Sequence, residues 1–554
     1  MVFGIFEIAN RDDPLANRKS ARLWASRLPA NDPVGAIEEV IALLEGPAAT
    51  ATPSTIARTR AALELDRIVS PVHAQLQAQY QLASVSDEVR QRLWSECDRL
   101  ARAFAQAYER ACGALAPQAR GARARTTLHG AFARLFFYIG VQARHGLFRY
   151  ERWIPGRWTM LHQAYSEACR QGVVAAPFEL DPDNAAGSRL SPEQEYLQIL
   201  LLHRLNTGNL TAQQIDRAAG WLREWVPLLG LAIKQPEGDG YWLDLGQGDG
   251  LMPVRPEVHA GELLYLDVSP LRARLEELFG RLTAQAEAAK AAADNAGAAD
   301  AEDRAELVHR LAMLWYPQAP KHERRGERYT DQHGITVAVG WQEIAQALTL
   351  SVPQRSNAPQ GYHYDDYGRL RPNRDGVPPP AAMDPPKSAL DVWQALDASD
   401  SGFRVRTSVQ SAGRLRLGSL MALRVEQNTN WQLGVVRRMK RINADQTELG
   451  VEVISRAVAL IAPKAVAMRD MGYSVDGVDI GLKGQSFNAL FLPGQSRARG
   501  GSRPSIVLPP AEFTVGRPLS LVVEGHNYDV LLAPPLERTK DWVWSPLELD
   551  PKPA

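Results

Sequence analysis

The chain has 554 residues, several times the usual size of one domain, so a single core is excluded and two to four domains are expected. Hydrophobic residues make up 45% and charged residues 23%, which excludes a wholly disordered or collagen-like protein. Lys and Arg number 63 against 63 Asp and Glu, so no overall basic excess draws the chain to bulk nucleic acid or to anionic lipid, and an anionic ligand requires a local cluster.

The first residues, Met1 to Asp12, carry a short apolar stretch without a basic n-region and do not read as a secretory signal. Apolar runs such as Leu197 to Leu202 and Ala457 to Ala462 fall well short of the roughly 20 residues that span a bilayer, so no membrane insertion is expected. Cys97, Cys112 and Cys169 show no CxxC spacing, which argues against a zinc site or a disulfide framework and suits a cytoplasmic location.

From about Pro14 to Gln285 the pattern is mostly helical. In the segment from Val89 to Ala111, the apolar residues Val89, Leu93, Cys97, Leu100, Phe104, Tyr108 and Ala111 recur every three or four positions and share one face. Ser86 is placed as the N-cap of this helix. Ser191-Pro192-Glu193-Gln194 and Thr211-Ala212-Gln213-Gln214 are capping boxes that start two consecutive helices, expected to pair as a hairpin. Gly246-Gln247-Gly248-Asp249-Gly250 lacks the Lys-Ser or Lys-Thr of a phosphate loop, and Pro253 interrupts the helix such a loop needs, so a surface turn is expected. Residues 286–305 are rich in Ala with acidic residues and read as an exposed helix end or a linker. A helical stretch from Ala305 to Trp315 precedes Pro317 and Pro320, where the texture changes.

Beyond that boundary come short β-rich runs, Ile335 to Val339, Phe403 to Thr407, Ser419 to Glu426, Trp431 to Arg438 and Thr447 to Ser455, separated by turn residues in the manner of an antiparallel barrel or sandwich. A Pro-rich insertion, about Pro353 to Pro386, interrupts them and reads as a surface excursion. Asn488 to Leu492, Ser505 to Leu508, Leu519 to Glu524 and Tyr528 to Ala533 make a further set of strands. The expected architecture is a multidomain α + β chain: a helical domain over 1–285, a low-complexity linker and junction helix over 286–317, a barrel over 318–470 and a C-terminal β-module over 471–554.

Two motifs flank the insertion. Arg324 and Arg328 form RxxxR ahead of the first barrel strand, and Asp397, Ser399 and Gly402 form DxSxxG ahead of the second. With these motifs in this order, and with Leu417-Gly418-Ser419-Leu420, Trp431 to Arg438 and Leu449-Gly450-Val451-Glu452-Val453 downstream, residues 318–470 resemble the PilZ domain family, bacterial receptors for cyclic diguanylate (cyclic di-GMP). The helical half is left unassigned by this resemblance. The 68 residues between Arg328 and Asp397 depart from the family's shorter connection.

The resemblance implies a cyclic di-GMP site formed by Arg324, Arg325, Arg328, Asp397, Ser399 and Gly402. The residue types suit the ligand. Arginine forks donate to phosphates and to guanine O6 and N7, or stack on a base; a carboxylate accepts from guanine N1 and N2; a serine hydroxyl works either way. Gly402 permits a positive φ or a close backbone approach. Arg404, Arg406, Arg437 and Arg438 are expected to keep the surrounding field positive.

No GxSxG, HExxH or other nucleophile or metal-ligand spacing occurs, and His129, His145, His203 and His309 are read as ordinary histidines. The implied function is therefore a receptor without enzymatic activity, cofactor or metal, whose helical domain contacts a protein partner. Two other readings stay open: an adaptor whose barrel no longer binds nucleotide, and an RNA-binding β-protein using the Arg-rich stretch Gln495 to Arg503, although a solvated loop is the plainer reading of that stretch.

Overall fold

The computed structural model describes residues 13–47, 49, 53–81, 85–151, 153, 155–180, 189–254, 263–316, 329–330, 333–351, 362–364, 370–372, 390–399, 401–425, 430–465, 486–494, 503–523 and 526–549. The chain divides into two compact units, residues 1–322 and 323–554.

The first unit is built from helices α1 (Arg18–Ala25), α2 (Pro33–Glu45), α3 (Ile56–Gln81), α4 (Asp87–Leu115), α5 (Ala122–Phe148), α6 (Pro155–Arg170), α7 (Pro192–His203) and α8 (Ala212–Trp225). Ser86 caps α4 through the Val89 amide, and both capping boxes form as the sequence indicates, on α7 and α8. The two helices touch, but α7 packs chiefly on α5 rather than forming a closed hairpin with α8. Helix α5 is buried along most of its length, through residues such as Leu128, Phe132, Phe136 and Ile139, and organises the core.

At its centre Asp66 on α3 is fully buried. Its carboxylate accepts from Arg134 Nε at 2.7 Å and Nη2 at 2.8 Å, and from the Tyr108 and Tyr138 hydroxyls at 2.7 Å each. Burial holds both phenols above their usual range, so they remain donors. The Asp66 carboxylate therefore accepts four hydrogen bonds, two of them from an opposite charge, which is what makes a buried charge tolerable.

Between α8 and the last two helices lies a small antiparallel sheet with strands β1 (Leu231–Ala232), β2 (Gly240–Asp244), β3 (Met252–Pro253) and β4 (Leu263–Asp267) in the order β1-β4-β2-β3. The helical half is thus not purely helical. The Gly-rich run is the turn following β2, where the Gly246 amide donates to Asp244 Oδ1 at 2.8 Å. Helices α9 (Ser269–Ala291) and α10 (Asn295–Trp315) then pack on each other. The stretch 286–305 belongs to these helices, not to a linker: Ala286, Ala298, Ala301 and Ala305 are buried, small side chains that let two helices approach closely.

The second unit holds the expected barrel. After β5 (Tyr329–Thr330) come β6 (Gly334–Val339), helix α11 (Gly340–Ser351), the pair β7 (Tyr362–Tyr364) and β8 (Leu370–Pro372), then β9 (Asp391–Ser399), β10 (Gly402–Ser408), the short helix α12 (Val409–Ala412), β11 (Leu420–Val425), β12 (Gln432–Arg441) and β13 (Gln446–Ser455). The ring runs β6-β9-β10-β13-β12-β11 and returns to β6, so six antiparallel strands close a barrel. Apart from β7 and β8, the insertion from Pro353 to Pro386 lies outside the described residues.

The remaining strands are β14 (Ala459–Ile461), β15 (Lys464–Ala465), β16 (Ala489–Leu492), β17 (Ser505–Leu508), β18 (Pro518–Val523), β19 (His526–Leu532), β20 (Glu537–Arg538) and β21 (Val543–Leu549). The C-terminal module starts earlier than the sequence boundary of 470 suggests, because β14 and β15 already pair with β16 and β18.

Removing one partner of a buried charge cluster leaves the others unsatisfied, so Asp66→Ala should destabilise the chain by about 3–5 kcal/mol. The shift in urea midpoint of the transition assigned to residues 1–322 measures it, and a midpoint equal to wild type would contradict a structural role for the cluster.

Candidate functional site

The DxSxxG residues form one hairpin. Asp397 and Ser399 end β9, and Gly402 opens β10 opposite Ser399. The Ser399 hydroxyl donates to the Gly402 carbonyl at 3.2 Å and lies 3.4 Å from the Ser401 hydroxyl, so it ties the turn together. Across the next ladder Gly402 faces Glu452, and the Val453 amide donates to the Ser401 carbonyl at 2.9 Å.

Of the two reasons for a glycine here, close approach is the one that applies. A Cβ on residue 402 would stand 2.1 Å from the Val451 carbonyl oxygen and 3.2 Å from the Glu452 Cα. Neither neighbour is the end of a flexible side chain, so any other residue pushes the hairpin off β13.

Asp397 points outward and receives Arg404 Nε at 2.8 Å from the facing position of β10, with the carboxylate mostly buried and the arginine half-exposed. Further along the same face Arg406 pairs with Glu448 at 2.8 Å. Arg437 reaches Glu452 at 2.7 Å and holds Glu537 through both guanidinium nitrogens, at 2.6 and 2.5 Å. Burial alone would weaken Arg437's hold on its proton, but Glu537 and Glu452 outweigh that and hold it above the usual range. Three of the four arginines expected to maintain a positive field are therefore matched by carboxylates, while Arg438 is exposed. The Arg404 partnership with Asp397 was readable only once residues 391–399 are taken as a strand.

Arg324, Arg325 and Arg328 lie outside the described residues. The strand that begins directly after them does not: β5 pairs with β9 in the register Tyr329↔Ala398 and Thr330↔Asp397. The chain that follows RxxxR is thereby laid along the strand carrying Asp397 and Ser399. Of the Arg-rich stretch 495–503, only Arg503 is described, and it is exposed. Among the described residues, no group of His, Cys, Asp or Glu is arranged to hold a metal, and no helix is long and apolar enough to cross a membrane.

A closed six-stranded antiparallel barrel with DxSxxG on one hairpin, and with a strand leading out of RxxxR laid beside it, defines a PilZ-domain protein. Comparison with known families agrees: residues 382–459 match the family described as "Cyclic-di-GMP receptor FimW, middle PilZ domain". Residues 19–237, which the sequence reading left unassigned, match "Cyclic-di-GMP receptor FimW, N-terminal domain". The chain is also similar to the Cyclic-di-GMP receptor FimW of Pseudomonas aeruginosa (strain PAO1), with 24% identity over 348 residues that cover 54% of this chain and 55% of the relative. It thus matches about half the length of that relative.

Gly402→Ala should destabilise the barrel by about 1–3 kcal/mol through overpacking against backbone. Faster amide exchange confined to β9, β10 and β13 is the expected signature, and unchanged exchange at the Val453 amide would contradict it.

Proposed function

We propose that this chain is a cyclic di-GMP receptor whose nucleotide site is assembled from Arg324 and Arg328, flanked by Arg325, together with Asp397, Ser399 and the backbone at Gly402. The single observation that carries this reading is the β5–β9 register. It brings the residue after Arg328 alongside Ala398, between the two polar side chains of DxSxxG.

In this reading the two arginines supply what the ligand lacks in the hairpin, cationic donors for phosphate and for the Hoogsteen edge of guanine. Asp397, steadied by Arg404, accepts from guanine N1 and N2. The Ser399 hydroxyl, donating to Gly402, keeps its lone pairs for a ligand donor. Gly402 lets the hairpin lie flat against β13, leaving room for a base above it. In this reading the chain is a receptor that binds its ligand without chemistry and acts in the cytoplasm. The helical first unit supplies the surface for a protein partner, in line with its match to a separate FimW domain.

Each of Arg324→Ala, Arg328→Ala and Asp397→Ala should weaken cyclic di-GMP binding by about 1–3 kcal/mol, or roughly 5- to 150-fold, in titration calorimetry on the full chain. Identical isotherms for wild type and all three variants would refute the site; no binding by wild type at high micromolar ligand would leave the adaptor reading.

Selectivity is a separate expectation. Adenine presents N6 as a donor to the arginine fork and lacks the N1 and N2 donors that Asp397 needs, so cyclic di-AMP should compete at least about tenfold more weakly. Equal competition would indicate a phosphate site without base reading.

A further inference from the structure

The C-terminal module was expected only as a separate β-module, yet its strands are wound in the same way as the PilZ barrel. Taking residues 459–465 as one strand kinked at Pro463, its β14 end pairs with β16 and its β15 end with β18. Numbering the strands of each barrel one to six along the chain, the pairings in both are one with two, two with three, three with six, six with five, five with four and four with one, all antiparallel.

The correspondence extends to local detail. In both barrels one helical turn separates strands three and four, α12 in the first and residues 510–512 in the second. In both, a glycine at positive φ stands two residues before strand four: Gly418 at 84° and Gly516 at 78°. The Gly418 amide donates to the Val436 carbonyl and the Val436 amide to Ser419; the Gly516 amide donates to the Leu532 carbonyl and the Leu532 amide to Arg517.

Register then equates individual positions. Leu420 faces Val435 as Pro518 faces Leu531, and Val435 faces Glu452 as Leu531 faces Glu548. Continuing through strands six and three, Gly450 faces Arg404 as Pro546 faces Ser505. Ser505 in turn faces Leu492, where Arg404 faces Asp397. The acidic reader of the first barrel is therefore a buried leucine in the second, and its arginine partner is a serine whose hydroxyl accepts from Trp544 Nε1 at 2.9 Å.

What that face does instead is visible in the packing. Leu492, Val507 and Trp544, all on the outward side of strands two, three and six, form one buried apolar cluster with Leu420, Leu433 and Val435 of the first barrel. The second barrel's own interior is a different cluster, which includes Ile506, Leu519 and Leu532. Trp542 Nε1 donates to the Gly418 carbonyl at 2.9 Å, and the Arg437 pair with Glu537 closes the rim.

We infer that residues 459–549 are a second barrel of PilZ winding whose nucleotide face has become its docking face against the first barrel, so that the pair offers one cyclic-dinucleotide site, not two, and opens as one body. The single-site part rests on the proposed function; the docking part does not. Native-state hydrogen exchange on the full chain across a urea series tests docking: amides of β11–β12 and of β16–β17 should converge on one opening isotherm. Independent opening of the second barrel while β11–β12 stay protected would overturn it. Calorimetry with cyclic di-GMP tests the site count: wild type should show one class of sites, and Asp397→Ala should lower its affinity roughly 5- to 150-fold with no second class remaining. A saturable class that survives Asp397→Ala and protects residues 489–508 from exchange would overturn the single-site claim. Absence of binding in wild type would instead refute the receptor reading, leaving the exchange data to decide the docking.

Discussion

The contact on which the first barrel depends is the approach of Gly402 to the Val451 carbonyl, where even one methyl group would stand 2.1 Å away. Closing a six-stranded ring requires strand three to serve two neighbours at once. Gly402 lies in register both with Ser399 on β9 and with Glu452 on β13. The hairpin that holds Asp397 and Ser399 is thus also the seam of the barrel. In the proposed site, a ligand on this hairpin would meet backbone already fixed by two ladders, so little ordering of the hairpin opposes binding.

The first unit is held on a different principle. Its centre is a carboxylate, Asp66, surrounded by one guanidinium and two phenols rather than by hydrocarbon alone. Such a cluster adds little net stability compared with a well-packed apolar centre, but it penalises any misplacement of α3, α4 and α5, because α3 supplies the carboxylate, α4 one phenol, and α5 the guanidinium and the other phenol.

How much of this was legible in the sequence depended on which interactions were local. The caps at Ser86, Ser191 and Thr211 were readable because a cap involves only residues within one turn. The strands at 334–339 and 402–408 were readable because period-2 runs of β-branched residues stand between turn signals. Strand β9 was missed. Its run Val392-Trp393-Gln394-Ala395-Leu396 has a helix-forming composition, and only pairing with β6 and β10 makes it extended. Strand β21 was missed for another reason: Pro546 demotes a strand in any sequence reading, whereas here it takes a ladder position opposite Ser505. Within the site, the motif residues were visible as a pattern, but the Arg404 contact with Asp397 was not, because it needs the cross-strand register that a missed β9 hides. The kinship of the two barrels was invisible for the same cause. Their positions agree in pairing and in backbone geometry, while the side chains on the matching face, Asp397 against Leu492 and Arg406 against Val507, are of opposite character.

That opposition has a consequence for the newly made chain. Only residues 456–458 separate the two barrels, and their third strands, β10 and β17, fill the same slot between strands two and six, so each is a geometrically acceptable guest in the other's place. An exchanged β10 would set Arg406 against Trp544, inside a buried apolar cluster, in place of its partner Glu448; an exchanged β17 would leave Glu448 facing Val507. Neighbouring domains of like topology are prone to this kind of cross-assembly during folding. The polar face of one barrel and the apolar face of the other therefore act as an address, making the wrong assembly costly at the two positions where backbone geometry alone would accept it.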